Sequence, residues 1–236
     1  MTMLIPVRDH NPGRHFPLVT IALVAANVLA FFYLGISEEV AFRFGAVPCD
    51  VLQRCDQLSR HLNESFPDRT SIVSIFTSMF MHGNLLHLGG NMLFLWVFGN
   101  NVEDQFGKVG FAVFYAVTGV AAAFSHFMLD PASEIPIIGA SGAVSGILGA
   151  YYYLYPRARV TALVPLFFFF PINVSAKFVL GLWFLLQLFE GVMGLGALQE
   201  GGVAFWAHVG GFVAGYVITR VFHPARAPQA VLSRYA

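Results

Sequence analysis

The chain has 236 residues, of which 57% are hydrophobic and only 11% charged, with a mean hydropathy of +0.67. A soluble domain carries about 25% charged residues, so this excess of apolar side chains calls for lipid as the solvent. The formal net charge is zero, which removes the basic signature of a nucleic-acid binder.

Taken in chain order, apolar stretches of about 20 residues, the length that crosses a bilayer, fall at 17–36, 79–100, 109–129, 137–155, 177–197 and 203–222. They predict an all-α, polytopic bundle of six transmembrane helices. With no low-complexity tail and no evident repeat, residues 1–236 read as one integral membrane domain. The first span follows a polar arm and lacks a convincing small-residue cleavage site, so it reads as retained and not as a secretory signal. The loop at 37–78 contains amphipathic stretches at 39–44 and 51–58, which predict short helices lying on the membrane. It also holds Cys49 and Cys55, for which a small-loop disulfide and two free thiols are both open. A metal site combining them with His61 is disfavoured. The stretch 160–172 is apolar but short, and Pro165 and Pro171 punctuate it, so it is expected at the interface.

Six spans place both termini on one side. With the termini inside, nine of the thirteen basic residues fall on inner segments: Arg8, Arg14, Lys108, Arg157, Arg159, Lys177, Arg220, Arg226 and Arg234. Arg43, Arg54, Arg60 and Arg69 fall in the outer loop, as do most of the acids in outer segments. The positive-inside rule then sets both termini in the cytoplasm.

Polar groups gather in one outer layer. Ser141 lies about four residues into the fourth span, roughly 6 Å down a helix, and His208 about five residues into the sixth, after Gly201 and Gly202. The second span brings His82, His87 and Asn91, the last two four apart and so on one helix face. Small residues at Gly142, Gly146 and Ala150, and at Ala207, Gly211 and Gly215, would let the serine and histidine helices pack closely. A serine and a histidine at one depth fit a nucleophile, Ser141, with its general base, His208. His87, Asn91 and the Ser141 amide are the available oxyanion donors, and Gly139 and Gly142 permit a tight turn beside the serine. No carboxylate lies at a suitable depth: Glu103 and Asp104 are on the opposite side, and Glu190 and Glu200 near the outer end of the fifth span. A dyad is expected, not a triad. The alternative for an intramembrane serine is a bond back to its own helix or to a neighbour, and for a histidine a packing or relay role, which is the reading given to His126 and His82.

These residues resemble the rhomboid family of intramembrane serine proteases. Gly139-Ala140-Ser141-Gly142 is similar to its nucleophile motif, Ala207-His208-Val209-Gly210-Gly211 to its histidine motif, and His82, His87 and Asn91 to the spacing on its second helix. The opening Ile5-Pro6-Val7-Arg8-Asp9-His10-Asn11-Pro12 resembles the start of bacterial members. The resemblance implies Ser141 and His208 as the dyad, His87 and Asn91 as oxyanion donors, and His82 as a structural residue of the outer loop region. It implies cleavage of transmembrane or membrane-adjacent segments of other proteins, with small residues before the scissile bond, in the cell's inner membrane and opening to the extracytoplasmic side. Local unwinding of the substrate would ease attack, because a helical peptide bond is shielded by its own backbone bonding. Spans two and five are the substrate gate by analogy. Two departures from the pattern stand out. Val73 and Ser74 stand where members commonly carry Trp-Arg, and Ser145 stands where an aromatic ring often stacks on the histidine, leaving neighbouring Phe or Tyr side chains to hold His208.

Two other functions compete. One is an inactive relative that binds membrane helices without cutting them. The other is a transporter or proton channel relaying through the histidines; it would need polar groups continuing to the cytoplasmic side, where isolated residues such as Gln187 are all the spans offer. No cofactor and no metal are implied, the partners are membrane-protein substrates and the lipid bilayer, and nothing specifies an oligomeric state.

Overall fold

The computed structural model describes residues 4–165, 169–194 and 203–223. The end of the fifth expected span at 195–197, together with Glu200, Gly201, Gly202, Arg226 and Arg234, lies outside the described residues. A first strand, β1 (Ile5–Asp9), leads to helix α1 (Leu18–Leu34). The outer loop carries α2 (Glu38–Phe44), α3 (Pro48–Val51), α4 (Asp56–Ser65) and α5 (Ser71–Thr77), then a 3-10 turn at Ser78–Phe80. The rest is α6 (Leu85–Phe127), α7 (Ser141–Leu154), the strands β2 (Arg159–Pro165) and β3 (Phe169–Ser175), α8 (Ala176–Met193) and α9 (Phe205–Phe222).

The helices fall on the expected apolar stretches, with shifts that have physical causes. The stretches expected as second and third spans are two limbs of α6, broken where Gly107 adopts a φ of +67° that glycine takes without penalty. By length and hydropathy α6 and α8 each suffice to cross a membrane. Outer faces are apolar: Leu29, Phe32, Trp96, Leu185, Phe189 and Val217 are exposed. Polar residues turn inward, with Thr20, Asn27, Thr118 and Thr219 buried. The Thr118 hydroxyl donates to the Phe114 carbonyl and that of Thr219 to the Gly215 carbonyl, the satisfaction that an apolar surrounding demands.

At the centre stands α7, buried along its length except at Ser141 and Tyr152. A β-carbon on Gly211 would meet the Gly142 carbonyl oxygen, one on Gly215 the Gly146 carbonyl, and one on Gly149 the Phe212 carbonyl. The backbones of α7 and α9 therefore touch, as the two rows of small residues predict. On its other side α7 meets the second limb of α6, where Gly142 faces Ala122 and Gly146 faces Thr118.

The expectation of an all-α chain needs correction. β2 pairs antiparallel with β1 on one side and with β3 on the other, in the order β1-β2-β3. The 160–172 stretch is thus part of a hairpin, not a simple interfacial segment. Its β-branched Val160, Thr161 and Val164 suit a strand, and Pro6 and Pro171 sit on the two edge strands, where a missing N–H can face away from the sheet. The sheet anchors the N-terminal arm to the bundle. Asp9 Oδ2 accepts hydrogen bonds from Asn101 Nδ2 and from the Tyr151 hydroxyl, each 2.7 Å. Nearby the buried Glu103 caps α1, accepting from the backbone N–H groups of Val19 and Thr20 and from the Thr20 hydroxyl.

In the outer loop α2 forms where expected. The stretch 51–58 instead straddles the end of α3 and the start of α4, separated by a turn with Gln53 at a φ of 55°. That turn is closed by a Cys49–Cys55 disulfide, which resolves the two alternatives for the thiols. The loop is held together by Arg69. Its guanidinium bridges Asp50 Oδ2 at 2.7 Å and the Phe42 carbonyl at 3.0 Å, with both charged side chains buried. Ser74 bonds back to the Ser71 carbonyl, and Val73 is exposed.

Removing one partner of a buried pair strands the other charge. Arg69→Leu is therefore expected to lower stability by about 3 kcal/mol, read as a drop in thermal unfolding temperature in detergent. A second expectation concerns pH. Burial lifts the Asp9 carboxyl to about 6, against the opposing Tyr151 hydrogen bond and Arg8 charge. A carboxyl raised in the fold contributes stability below its unfolded value, and that contribution is lost as pH rises through about 6. Asp9→Asn should flatten the decline in unfolding temperature between about pH 4 and pH 6, and a decline unchanged in the variant would refute the assignment.

Candidate active site

Three helix starts meet in one layer. α6 is capped by Asn84, whose side chain accepts from the His87 N–H at 2.8 Å, so His87 lies in the first turn. Ser141 is the first residue of α7. His208 lies in the first turn of α9, after the N-cap Ala204. The first N–H groups of a helix have no intrahelical acceptor and carry the positive end of its dipole, so three such ends border the same space.

The segment that delivers the serine is extended. Residues 137–140 belong to the expected fourth span yet are not helical, because Ile137 pairs with Ala46 through two backbone hydrogen bonds of 3.0 and 2.8 Å. The Gly139 N–H then donates to the Ser78 carbonyl at 2.9 Å. Gly139 has a φ of +129°, which strongly favours glycine. A β-carbon there would sit 2.7 Å from His87 Nε2 and 3.5 Å from Ser141 Oγ. The missing side chain is what leaves His87 and Ser141 facing one small opening.

His208 is brought alongside by the α7–α9 contact. Gly142, the residue after the serine, lies against Ala207, the residue before the histidine, while Gly211 closes on the Gly142 carbonyl. His208 is buried, and its Nδ1 is 2.6 Å from Gln187 Oε1 on α8. The Trp183 ring lies beside it, with centroids 5.8 Å apart and planes at 35°. The ring beside His208 is thus a tryptophan from α8 and not one of the Phe or Tyr neighbours expected to replace the aromatic missing at Ser145. Ser145 itself is buried and donates to the Ser141 carbonyl at 2.6 Å.

The remaining expected residues take mixed places. Asn91 is buried near His87, and its Nδ2 donates to the His87 carbonyl at 3.1 Å. His82 precedes α6, is buried, and meets the His87 ring edge-on at 5.0 Å. It also lines a cavity of about 210 Å³ shared with the end of α1 and the start of α2. His126 lies near the end of α6, half-buried. Sequence reasoning noted Gln187 only as an isolated polar residue toward the cytoplasmic side and passed over Trp183; the structure places both beside His208. The available signal was a lone amide in an apolar span, four residues after a tryptophan and so on the same helix face.

Residues 69–225 match the family model of the Rhomboid domain. The chain is 34% identical to Rhomboid protein 1, mitochondrial, of Saccharomyces cerevisiae over 206 residues, which cover 86% of this chain and 55% of that protein. It is 28% identical to RHOMBOID-like protein 5 of Arabidopsis thaliana, over 71% of this chain and 48% of that protein. It is also 28% identical to Rhomboid protease GluP of Bacillus subtilis, over 58% of this chain and 25% of that protein. The chain thus spans about half the length of the first two curated relatives.

The cramped opening at Gly139 yields a test. Gly139→Ala forces a side chain into the left-handed region and against His87 Nε2. Labelling of the protein by a fluorophosphonate is expected to fall about tenfold or more, at about 1.4 kcal/mol per decade. Gly89→Ala, where a β-carbon meets nothing within 4 Å, serves as the control and should label as wild type.

Proposed function

This chain belongs to the rhomboid family, and we propose that it is an intramembrane serine endopeptidase hydrolysing peptide bonds in or near transmembrane segments of other membrane proteins. The supporting observation is the juxtaposition of Ser141 and His208 in the first turns of two helices whose backbones touch at Gly142 and Gly211, with His87 beside Gly139. The Bacillus subtilis relative is named a protease, which agrees with this reading.

In the proposed reaction Ser141 Oγ attacks the scissile carbonyl and passes its proton to His208 Nε2. His208 returns that proton to the leaving amine. Water then attacks the acyl-enzyme with His208 again as base. The oxyanion is received by the Ser141 N–H at the helix start, by His87 Nε2–H and by the second amide hydrogen of Asn91. Acyl transfer of this kind needs no cofactor.

The six spans are α1, the two limbs of α6, α7, α8 and α9. α7, with 14 residues, rises about 21 Å, short of the roughly 30 Å hydrocarbon core. Its start is therefore recessed beneath the outer surface, within reach of water from one side. The positive-inside bias favours cytoplasmic termini in an inner, plasma membrane, and the disulfide in the outer loop suits an oxidising extracytoplasmic face.

The test is cleavage of a model transmembrane substrate in liposomes by wild type, Ser141→Ala and His208→Ala. Cleavage by wild type, reduced at least 10³-fold in either variant, is the expected result. Absence of cleavage of several substrates by folded wild type, with no fluorophosphonate labelling, would move the assignment to a non-cutting binder of membrane helices.

A further inference from the structure

We infer that Gln187 is the positioning residue of His208, so that the hydrolytic unit is a Ser141–His208–Gln187 series and not a bare pair. The inference rests on the roles proposed for Ser141 and His208. Gln187 lies on α8, is 7% exposed, and its Oε1 is 2.6 Å from His208 Nδ1. An amide oxygen only accepts, so Nδ1 must carry the hydrogen in this contact. The lone pair of the neutral ring then falls on Nε2, the nitrogen a general base needs free. The reverse amide orientation would place the hydrogen on Nε2 and disable the base.

Trp183 secures the same ring from the same helix face. It packs against Phe94 at 6.4 Å and Phe212 at 6.3 Å, which fixes it between α6 and α9. Among the described residues no carboxylate bonds to His208. When the Ser141 Oγ proton moves to Nε2, the Nδ1 proton stays in place and its bond to Gln187 Oε1 becomes charge-assisted, and so stronger. Gln187 neither gains nor loses a proton.

The experiment uses the full chain in detergent, cleaving a fluorogenic transmembrane substrate from pH 5 to 9. Ser141→Ala is expected to be inactive. Gln187→Leu should hold KM within about twofold and lower kcat about 10- to 100-fold, the scale of a misoriented catalytic group, with the acidic limb of the profile moved to lower pH. Gln187→Glu should recover most of kcat and move that limb upward by about one pH unit, because a carboxylate favours the imidazolium. A leucine variant with wild-type kcat and an unmoved acidic limb overturns the inference while leaving the dyad intact. If Gln187→Leu does not fold, an unmoved limb in Gln187→Glu overturns it by itself. Wild type that neither cleaves nor labels overturns the reading of Ser141 and His208 on which the inference stands.

Discussion

The contact that everything else depends on is the backbone-to-backbone packing of α7 against α9. Three glycines make it: Gly211 on the Gly142 carbonyl, Gly215 on the Gly146 carbonyl, and Gly149 on the Phe212 carbonyl. In lipid there is no hydrophobic gain from joining two apolar helices, so close van der Waals contact between small residues is the main source of attraction. The same contact fixes the relative height of the two helices. A slip of one turn would be about 5.4 Å and would separate Ser141 from His208 entirely. Stability of the bundle and the alignment of Ser141 with His208 are here one property.

Around that axis the outer loop acts as a brace for the one extended piece of backbone at the site. Ala46 pairs with Ile137, and Ser78 receives the Gly139 N–H, so the Ile137 backbone groups and the Gly139 N–H are satisfied outside a helix. The Thr77 hydroxyl donates to the Phe44 carbonyl at 2.6 Å, tying α5 to the end of α2. Arg69 holds Asp50 and the Phe42 carbonyl together, and the disulfide closes the adjoining turn. A charge pair and a covalent bond are suited to a region facing water, just as glycine packing suits the region facing lipid.

Much of this was legible in the sequence. Apolar length gave the helices, and the two rows of small residues gave the pairing of α7 with α9, because lipid leaves few other ways to pack. The converging residues were read from depth, from the rows of small residues and from the resemblance of their motifs, since Ser141, His208 and His87 are polar groups near the starts of apolar stretches. What escaped was long-range and irregular. The sheet joins residues 5–9 to 159–165, and prolines on its edge strands masked the pattern. Arg69 anchors the loop from a position that no local pattern singles out. Gln187 and Trp183 belong to a helix whose register against His208 follows only once α8 is packed on α9.

The choice of an amide beside His208 has a physical logic of its own. A histidine that shuttles a proton needs its tautomer set and its ring held, and soluble proteases often use a buried carboxylate for this. In a low-dielectric bundle an ionised carboxylate is costly to bury, and its field would hold the histidine protonated. A neutral amide accepts the same Nδ1–H bond at a fraction of the desolvation cost. It stabilises the imidazolium less than a carboxylate would. In the proposed mechanism, Gln187 at 2.6 Å from Nδ1, with Trp183 beside the ring, orients His208 without burying a charge.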